Sequence, residues 1–338
     1  MRNNTLFEQL SGGWWTLPCG GLNLISDVAG VTVGHATMLD GTARTGVTAI
    51  RPHAGNLFTN KVEAGVAVLN GFGKSVGLVQ LEELGQLETP ILLSNTFAMP
   101  VCTTTLIKRA IDENLKIGRG LPTVNAVALE CNDGQLNDIQ AFHVTEELAR
   151  VALDTTDVEF ALGSIGAGTG MKSFGYAGGI GSASRLVEIG DDRFTLGALV
   201  LSNYGAQSEF RFCGKKLSAN SDHTQSPDKG SIIIVLATDA PLDARQLKRV
   251  AKRSGAALGR TGSYLGNGSG DIAVAFSTSG PLGTRLDETL LDGLFLAAVE
   301  ATEEAILSAM WHGVSRKGYD GLVLPSLYEK LQKRGDLT

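Results

Sequence analysis

Apolar residues in this chain fall in short runs separated by polar, glycine-rich stretches, and the runs follow two different periods. Val47–Ile50, Val66–Leu69, Ile91–Leu93 and Val124–Leu129 have strand length, and Phe194–Leu201, Ser231–Ala237 and Ile272–Phe276 read as core strands. Between them, Val101–Leu115 has helical spacing with Gly118 near its end, and Glu146–Leu153 opens another helix. A further helix is expected to begin near Asp239-Ala240-Pro241 and to stop at Gly259. The clearest helix runs from about Asp287 to His312, with Leu290, Leu291, Leu294, Ala298, Val299, Ala305 and Ile306 on one face and Gly313 at the C-cap position. Strands alternating with helices, and no internal repeat, predict an α/β fold.

The sharpest break in the pattern lies between Gly214 and Gly230. This stretch carries Lys215, Lys216, Asn220, Ser221, Asp222, Pro227 and Asp228 but only one large aliphatic residue, Leu217, and reads as an exposed, cleavable loop. It interrupts one domain rather than linking two. Lys229-Gly230-Ser231 then opens the aliphatic run Ile232-Ile233-Ile234-Val235. Ser231 reads either as a serine that starts a buried strand and closes a loop hydrogen bond, or as a nucleophile released by self-cleavage.

Composition narrows the class. The 338 residues are 43% hydrophobic and 19% charged, an ordinary soluble balance, but 43 glycines imply many tight turns and close backbone approaches. A net charge of −6 argues against nucleic acid as a partner. The one basic cluster, Lys248, Arg249, Lys252 and Arg253, fits the solvated face of a helix. Cys19, Cys102, Cys131 and Cys213 form no Cys-x-x-Cys pair, and the five histidines show no ligand spacing, so free thiols and no metal or organic cofactor are expected. The first fifteen residues lack a signal pattern and no run approaches membrane length, which points to the cytoplasm and away from a membrane partner.

Several glycine motifs lead nowhere. Gly73-Lys74-Ser75-Val76-Gly77 has the form of a nucleophile elbow, but no acid and histidine follow in suitable contexts. The same residues fail as a phosphate loop because Val68 stands where a glycine is required, and Gly166–Gly170 does not fit the dinucleotide fingerprint. With no histidine well placed, a serine needs another base. A serine at a new N-terminus carries its own, since a free α-amine titrates near 7.7–8.0. Ser269 and Asp271, two apart at the entrance to Ile272–Phe276, share a face and can bond each other to orient such a nucleophile, or merely close a turn. The stretch Glu130–Asp138 packs three carboxylates and two asparagines into nine residues, either a cradle for a substrate ammonium group or a polar turn.

Taken together, Gly30–His35, Arg44–Ile50, Leu136–Ile139, Gly166–Met171, Gly178–Gly181, Gly230-Ser231 and Asn267–Asp271 resemble, in order, the L-aminopeptidase/D-esterase family, which includes the β-aminopeptidases. The resemblance spans roughly residues 25 to 312. It implies an αββα sandwich and a precursor that cuts itself between Gly230 and Ser231. The products would be an α polypeptide, 1–230, and a β polypeptide, 231–338, held in one structural domain and associated into homo-oligomers of αβ units. It further implies that Ser231 is the nucleophile, that Ser269 and Asp271 support it, that Asn203 stabilises the oxyanion, and that Glu130 receives the substrate's amino group. Two positions depart from the family pattern. Asn132 stands where a tyrosine is often found, which removes an aromatic wall near the reacting carbonyl, and Asp271 is one methylene shorter than the glutamate of some relatives.

The expected function is therefore an autoprocessed serine aminopeptidase that releases N-terminal residues from short peptides, amides or esters through an acyl-enzyme. Two other readings stand beside it. One is an acyltransferase like the N-acetylornithine acetyltransferases, which use threonine at the cut. The other is an uncut, non-catalytic binding protein in which Ser231 only starts a strand.

Overall fold

The computed structural model describes residues 4–217, 229–280, 282–283 and 285–334. Its frame consists of strands β1 (Thr32–Met38), β2 (Thr45–Arg51), β3 (Val62–Gly71), β4 (Gln86–Leu87), β5 (Ile91–Ser94), β6 (Val127–Glu130), β7 (Gly179–Ile189), β8 (Asp192–Asn203), β9 (Lys229–Thr238) and β10 (Gly268–Ser277). Helices α1 (Met99–Glu113), α2 (Glu146–Asp154), α3 (Ala244–Thr261) and α4 (Asp292–His312) cover them. The strands form a four-stranded sheet in the order β1-β2-β5-β6 and a six-stranded sheet in the order β4-β3-β10-β9-β8-β7.

The side-chain period of two explains the layering. In β9, Ile232, Ile234 and Leu236 enter the core beneath α3 and α4, whereas Ile233, Val235 and Ala237 enter the core between the two sheets. β10 divides likewise: Ala273 and Ala275 lie on the helix side, and Ile272, Val274 and Phe276 face the other sheet. A strand buried on both faces has to be continuously apolar, which is why these runs show no alternation in the sequence. A third core, with Val47, Ala49, Leu92 and Ala128 on the sheet side and Met99, Cys102, Leu106 and Ala149 on the helix side, joins the four-stranded sheet to α1 and α2. The layers therefore run helix, sheet, sheet, helix: the αββα sandwich expected above.

Some element ends differ from expectation, each for a local reason. The third helix starts at Ala244, because Asp243 accepts from the Gln246 N–H at 2.8 Å and the Gln246 side chain answers to the Asp243 N–H, a reciprocal cap. It ends not at Gly259 but at Thr261, where Gly262 has the positive φ of 105° that closes such a turn. Gly313 is not a left-handed cap, since its φ is −62°. It is needed for space: a Cβ there would sit 2.4 Å from the Ala177 carbonyl oxygen.

Helix α4 departs most from its expected one-sided pattern. Every residue from Ala301 to Trp311 is buried, polar ones included. Glu300 accepts from the Thr16 N–H at 2.8 Å, the Leu17 N–H at 3.1 Å and Arg185 Nε at 3.1 Å. Glu304 pairs with Arg185 Nη2 at 2.6 Å, and Glu303 pairs with Arg260 and accepts from the indoles of Trp14 and Trp15. Burial alone would raise the Glu300 carboxyl, but these donors outweigh it and leave the group below its ordinary range. The N-terminal segment is thereby strapped across a helix whose buried glutamates find their partners within the protein. No helix among the described residues is long and apolar enough to cross a membrane.

Candidate active site

Gly230 and Ser231 lie inside β9, at the end of the sheet where an open cleft of about 810 Å³ separates it from the loop after β6. The strand is paired on both sides: Ser231 stands opposite Asn203 of antiparallel β8 and beside Gly270 of parallel β10. Gly230 has to be glycine here, because a Cβ would sit 2.2 Å from the Asn203 carbonyl oxygen. Ser231 is buried, and its hydroxyl donates to the Gly230 carbonyl oxygen at 2.6 Å, across the peptide bond that the sequence singled out. The alternation along β9 puts Ser231 on the same face as Ile233, towards the cleft between the sheets. The loop expected over 214–230 is described only in part. Lys215–Lys216 pairs with Arg211–Phe212 in a small hairpin, and residues 218–228, with Asn220 and Ser221, lie outside the described residues.

Asn203 shares the cleft face with Ser231, and its amide is held at both ends. Oδ1 accepts from the Lys172 N–H at 2.8 Å, while Nδ2 donates to the Asn132 carbonyl at 2.9 Å. Asn132 itself is exposed, and its Oδ1 caps a turn by accepting from the Gly134 N–H at 2.8 Å. Ser269 and Asp271 are fully buried on the neighbouring strand, and the Ser269 hydroxyl donates to Asp271 Oδ1 at 2.6 Å. Ser269 stands in register with Gly230, so the pair flanks the 230–231 peptide. By strand parity, however, it lies on the helix side, opposite to the face that carries the Ser231 hydroxyl.

Glu130 ends β6 and lines the same cleft. One carboxylate oxygen accepts from the Lys74 N–H at 2.8 Å and the other from the Thr96 hydroxyl, which fixes the group's orientation. Neither partner was visible as such in the sequence. Lys74 belongs to the elbow-like segment 73–77, which instead lies along β6 through reciprocal bonds between Val76 and Ala128. The hydroxyl of Ser75 accepts from the Glu130 N–H at 3.3 Å, so this serine supports the carboxylate's strand. Phe72, Lys172 and Tyr264 are further cleft residues that sequence reasoning missed, because no motif marks them. Among the described lining residues there is no histidine. His35 is half-buried elsewhere, between Thr48 and the Ala161 carbonyl, and desolvation pushes its imidazole down to about 4.

Of the other carboxylates in the Glu130–Asp138 stretch, Asp133 faces inward rather than into the cleft. It is fully buried, with Oδ1 accepting from Asn137 Nδ2 at 3.0 Å. Burial pushes its carboxyl from 3.8 up to about 6, against the opposing hydrogen bonds of Thr45, Asn137 and Asn95. The folded state then holds the proton more tightly than the unfolded chain, so this group's stabilisation is complete below pH 4 and is lost as pH rises to 6. Asp133→Asn is therefore expected to flatten that decline. In urea unfolding, the variant's stability relative to the parent should rise by about 2 kcal/mol between pH 4 and pH 7. A difference that does not change with pH would show that Asp133 does not titrate in this window.

A protein-family model, Peptidase family S58, matches residues 23–324. The chain belongs to peptidase family S58. This S58 peptidase, a hydrolase, is 36% identical over 330 residues to the beta-peptidyl aminopeptidase BapA of Sphingosinicella xenopeptidilytica, an alignment covering 86% of this chain and 81% of that one. Its fold matches that of a protein from Pyrococcus horikoshii OT3 with a TM-score of 0.89 and 43% identity, covering 94% of this chain and 95% of the other. It also matches the L-aminopeptidase D-Ala-esterase/amidase of Ochrobactrum anthropi, described as a prototype for the serine aminopeptidases and a new variant among the Ntn hydrolase fold. There the TM-score is 0.84 and the identity 34%, covering 96% of this chain and 97% of the other. The S58 peptidase thus has the N-terminal-nucleophile sandwich expected from its motifs.

Proposed function

We propose that this peptidase is made as a precursor, cuts itself between Gly230 and Ser231, and then removes N-terminal residues from short peptides, amides or esters through an acyl-enzyme on Ser231. The enzyme is an aminopeptidase of the serine N-terminal-nucleophile type; the acyltransferase and the uncut binding protein are not favoured by its family. One observation carries the reading. The Gly230–Ser231 peptide is held in a strand at the base of the cleft, with the serine hydroxyl against the carbonyl it would attack and Asn203 directly opposite.

In the processing step, Ser231 Oγ attacks the Gly230 carbonyl carbon through a five-membered ring. The C–N bond breaks as the nitrogen takes the hydroxyl proton, and water hydrolyses the resulting ester. This leaves a carboxylate on Gly230 and a free amine on Ser231. In turnover, Glu130 binds the substrate ammonium and Ser231 Oγ attacks the substrate carbonyl. The Ser231 amine accepts the hydroxyl proton and passes it to the leaving amine. Asn203 donates its second Nδ2 hydrogen to the oxyanion, with the Lys172 N–H fixing which way the amide faces. The Ser269–Asp271 pair sits beside the strand position where the new amine is released and positions it. The four free thiols suit a cytoplasmic setting, and the αβ units associate into homo-oligomers.

Intact-mass analysis of the purified protein under denaturing conditions tests the processing step. Two species of roughly 24 and 11 kDa are expected from the 35.4 kDa chain, split in proportion to residues 1–230 and 231–338. A single 35.4 kDa species that persists on long incubation would remove Ser231 as an N-terminal nucleophile.

A further inference from the structure

Three charged side chains are found among the described residues that line the cleft: Glu130, Lys74 and Lys172. Glu130 is held by the Lys74 N–H and the Thr96 hydroxyl, and the Lys74 ammonium rests over the Phe72 ring, 4.1 Å from its centroid. Lys172 is different. It begins the short strand Lys172–Ser173, in which Ser173 turns inward to bond the Ser202 hydroxyl at 2.5 Å. Alternation leaves Lys172 on the opposite side, towards the cleft. Its ammonium is partly buried with no carboxylate beside it among the described residues, and burial lowers it below the ordinary lysine range. A desolvated cation without a partner is costly in the free protein and is well matched to an anion that arrives with the substrate.

The position of Lys172 says which part of the substrate that anion belongs to. The Asn203 amide is flanked at one end by Asn132, two residues from Glu130, and at the other by Lys172. The chain that carries Glu130 thus meets the Asn203 amide, beside Ser231, at its Nδ2 end, and the chain that carries Lys172 meets it at its Oδ1 end. A substrate whose ammonium sits at Glu130 and whose carbonyl sits at Ser231 must send its leaving group towards Lys172. We propose that Lys172 is a specificity residue that binds a carboxylate on the leaving side of the scissile bond, so that dipeptides, with a free carboxylate on the residue released, are the preferred substrates. The inference rests on the roles given above to Glu130 and Ser231.

The test compares three peptides with the same first residue, followed by glycine with a free carboxylate, glycine amide, or aspartic acid amide, on the processed wild-type enzyme and on Lys172→Met and Lys172→Arg. Wild type is expected to favour the free acid over glycine amide about tenfold in kcat/KM, mainly through KM. Lys172→Met should erase that ratio, and Lys172→Arg, which keeps the charge, should retain most of it. A preference for aspartic acid amide over glycine amide that Lys172→Met also erases would place a side-chain carboxylate in the same subsite. Equal kcat/KM for acid and amide in wild type, or a preference that survives in Lys172→Met, overturns the proposal while leaving the aminopeptidase reading intact. Hydrolysis of none of the three by correctly cut enzyme overturns both.

Discussion

Replacing Ser231 with alanine is expected to leave a single 35.4 kDa chain with no measurable peptidase activity. Both consequences follow from one atom. The hydroxyl that lies 2.6 Å from the Gly230 carbonyl oxygen is the group that would open the peptide bond, and the amine released by that cut would be the base for every later turnover. Without Oγ there is neither a cut nor a base, so the loss should exceed about 10⁴-fold, as is usual when a nucleophile is removed. The sandwich should survive, because alanine fits the same strand position and, among the described residues, Oγ bonds only its own neighbour's carbonyl. Intact mass and circular dichroism, run on the same sample as the activity assay, separate a dead enzyme from an unfolded one. A Ser231→Ala protein that is still cut, or still active, would require a different nucleophile. Ser75 would not be the first choice, since its hydroxyl is engaged with the Glu130 N–H.

The second large effect concerns stability. Arg185 lies on β7 with its side chain 2% exposed, bonded to Glu300, Glu304 and the Ser184 carbonyl. Arg185→Met would leave two carboxylates without their cation in a buried site. Truncating one member of such a group costs about 3–5 kcal/mol, because the partners' desolvation is no longer offset. Measured by urea unfolding in the uncut Ser231→Ala background, that loss should appear as a lower midpoint with an unchanged slope. Adding Glu300→Gln and Glu304→Gln should restore part of it, since neutral amides need no cation. A change below about 1 kcal/mol for Arg185→Met alone would mean that water or rearrangement replaces the guanidinium.

What was legible in the sequence depended on distance along the chain. β9 and β10 stood out because strands buried on both faces must be apolar throughout. Ser269 and Asp271 paired as expected because their geometry is local to one strand. The side to which that pair points was not legible, because it depends on how β10 is inserted between β3 and β9. Arg185 reads as one polar residue in Gly181-Ser182-Ala183-Ser184-Arg185, and the acids that bury it lie more than a hundred residues away on α4. α4 itself was expected to be one-sided because its glutamates look like solvent-facing residues until their partners are known. Lys172 and Thr96 carry no motif and enter the cleft only through packing.

The order of strands in the six-stranded sheet has a consequence for the life of the molecule after processing. β9 from Ser231 onward and all of β10 belong to the segment after the proposed cut, and they lie between β3 on one side and β8 on the other, both from the segment before it. The two polypeptides would be interleaved rather than docked, and neither could leave without opening two strand seams and two apolar cores. While the chain is whole, its halves find each other as parts of one molecule. Once it is cut, the same encounter becomes bimolecular, between fragments that expose sticky strand edges. The mature enzyme would then be a product of its own history, persisting because its unfolding is slow rather than because it can form again.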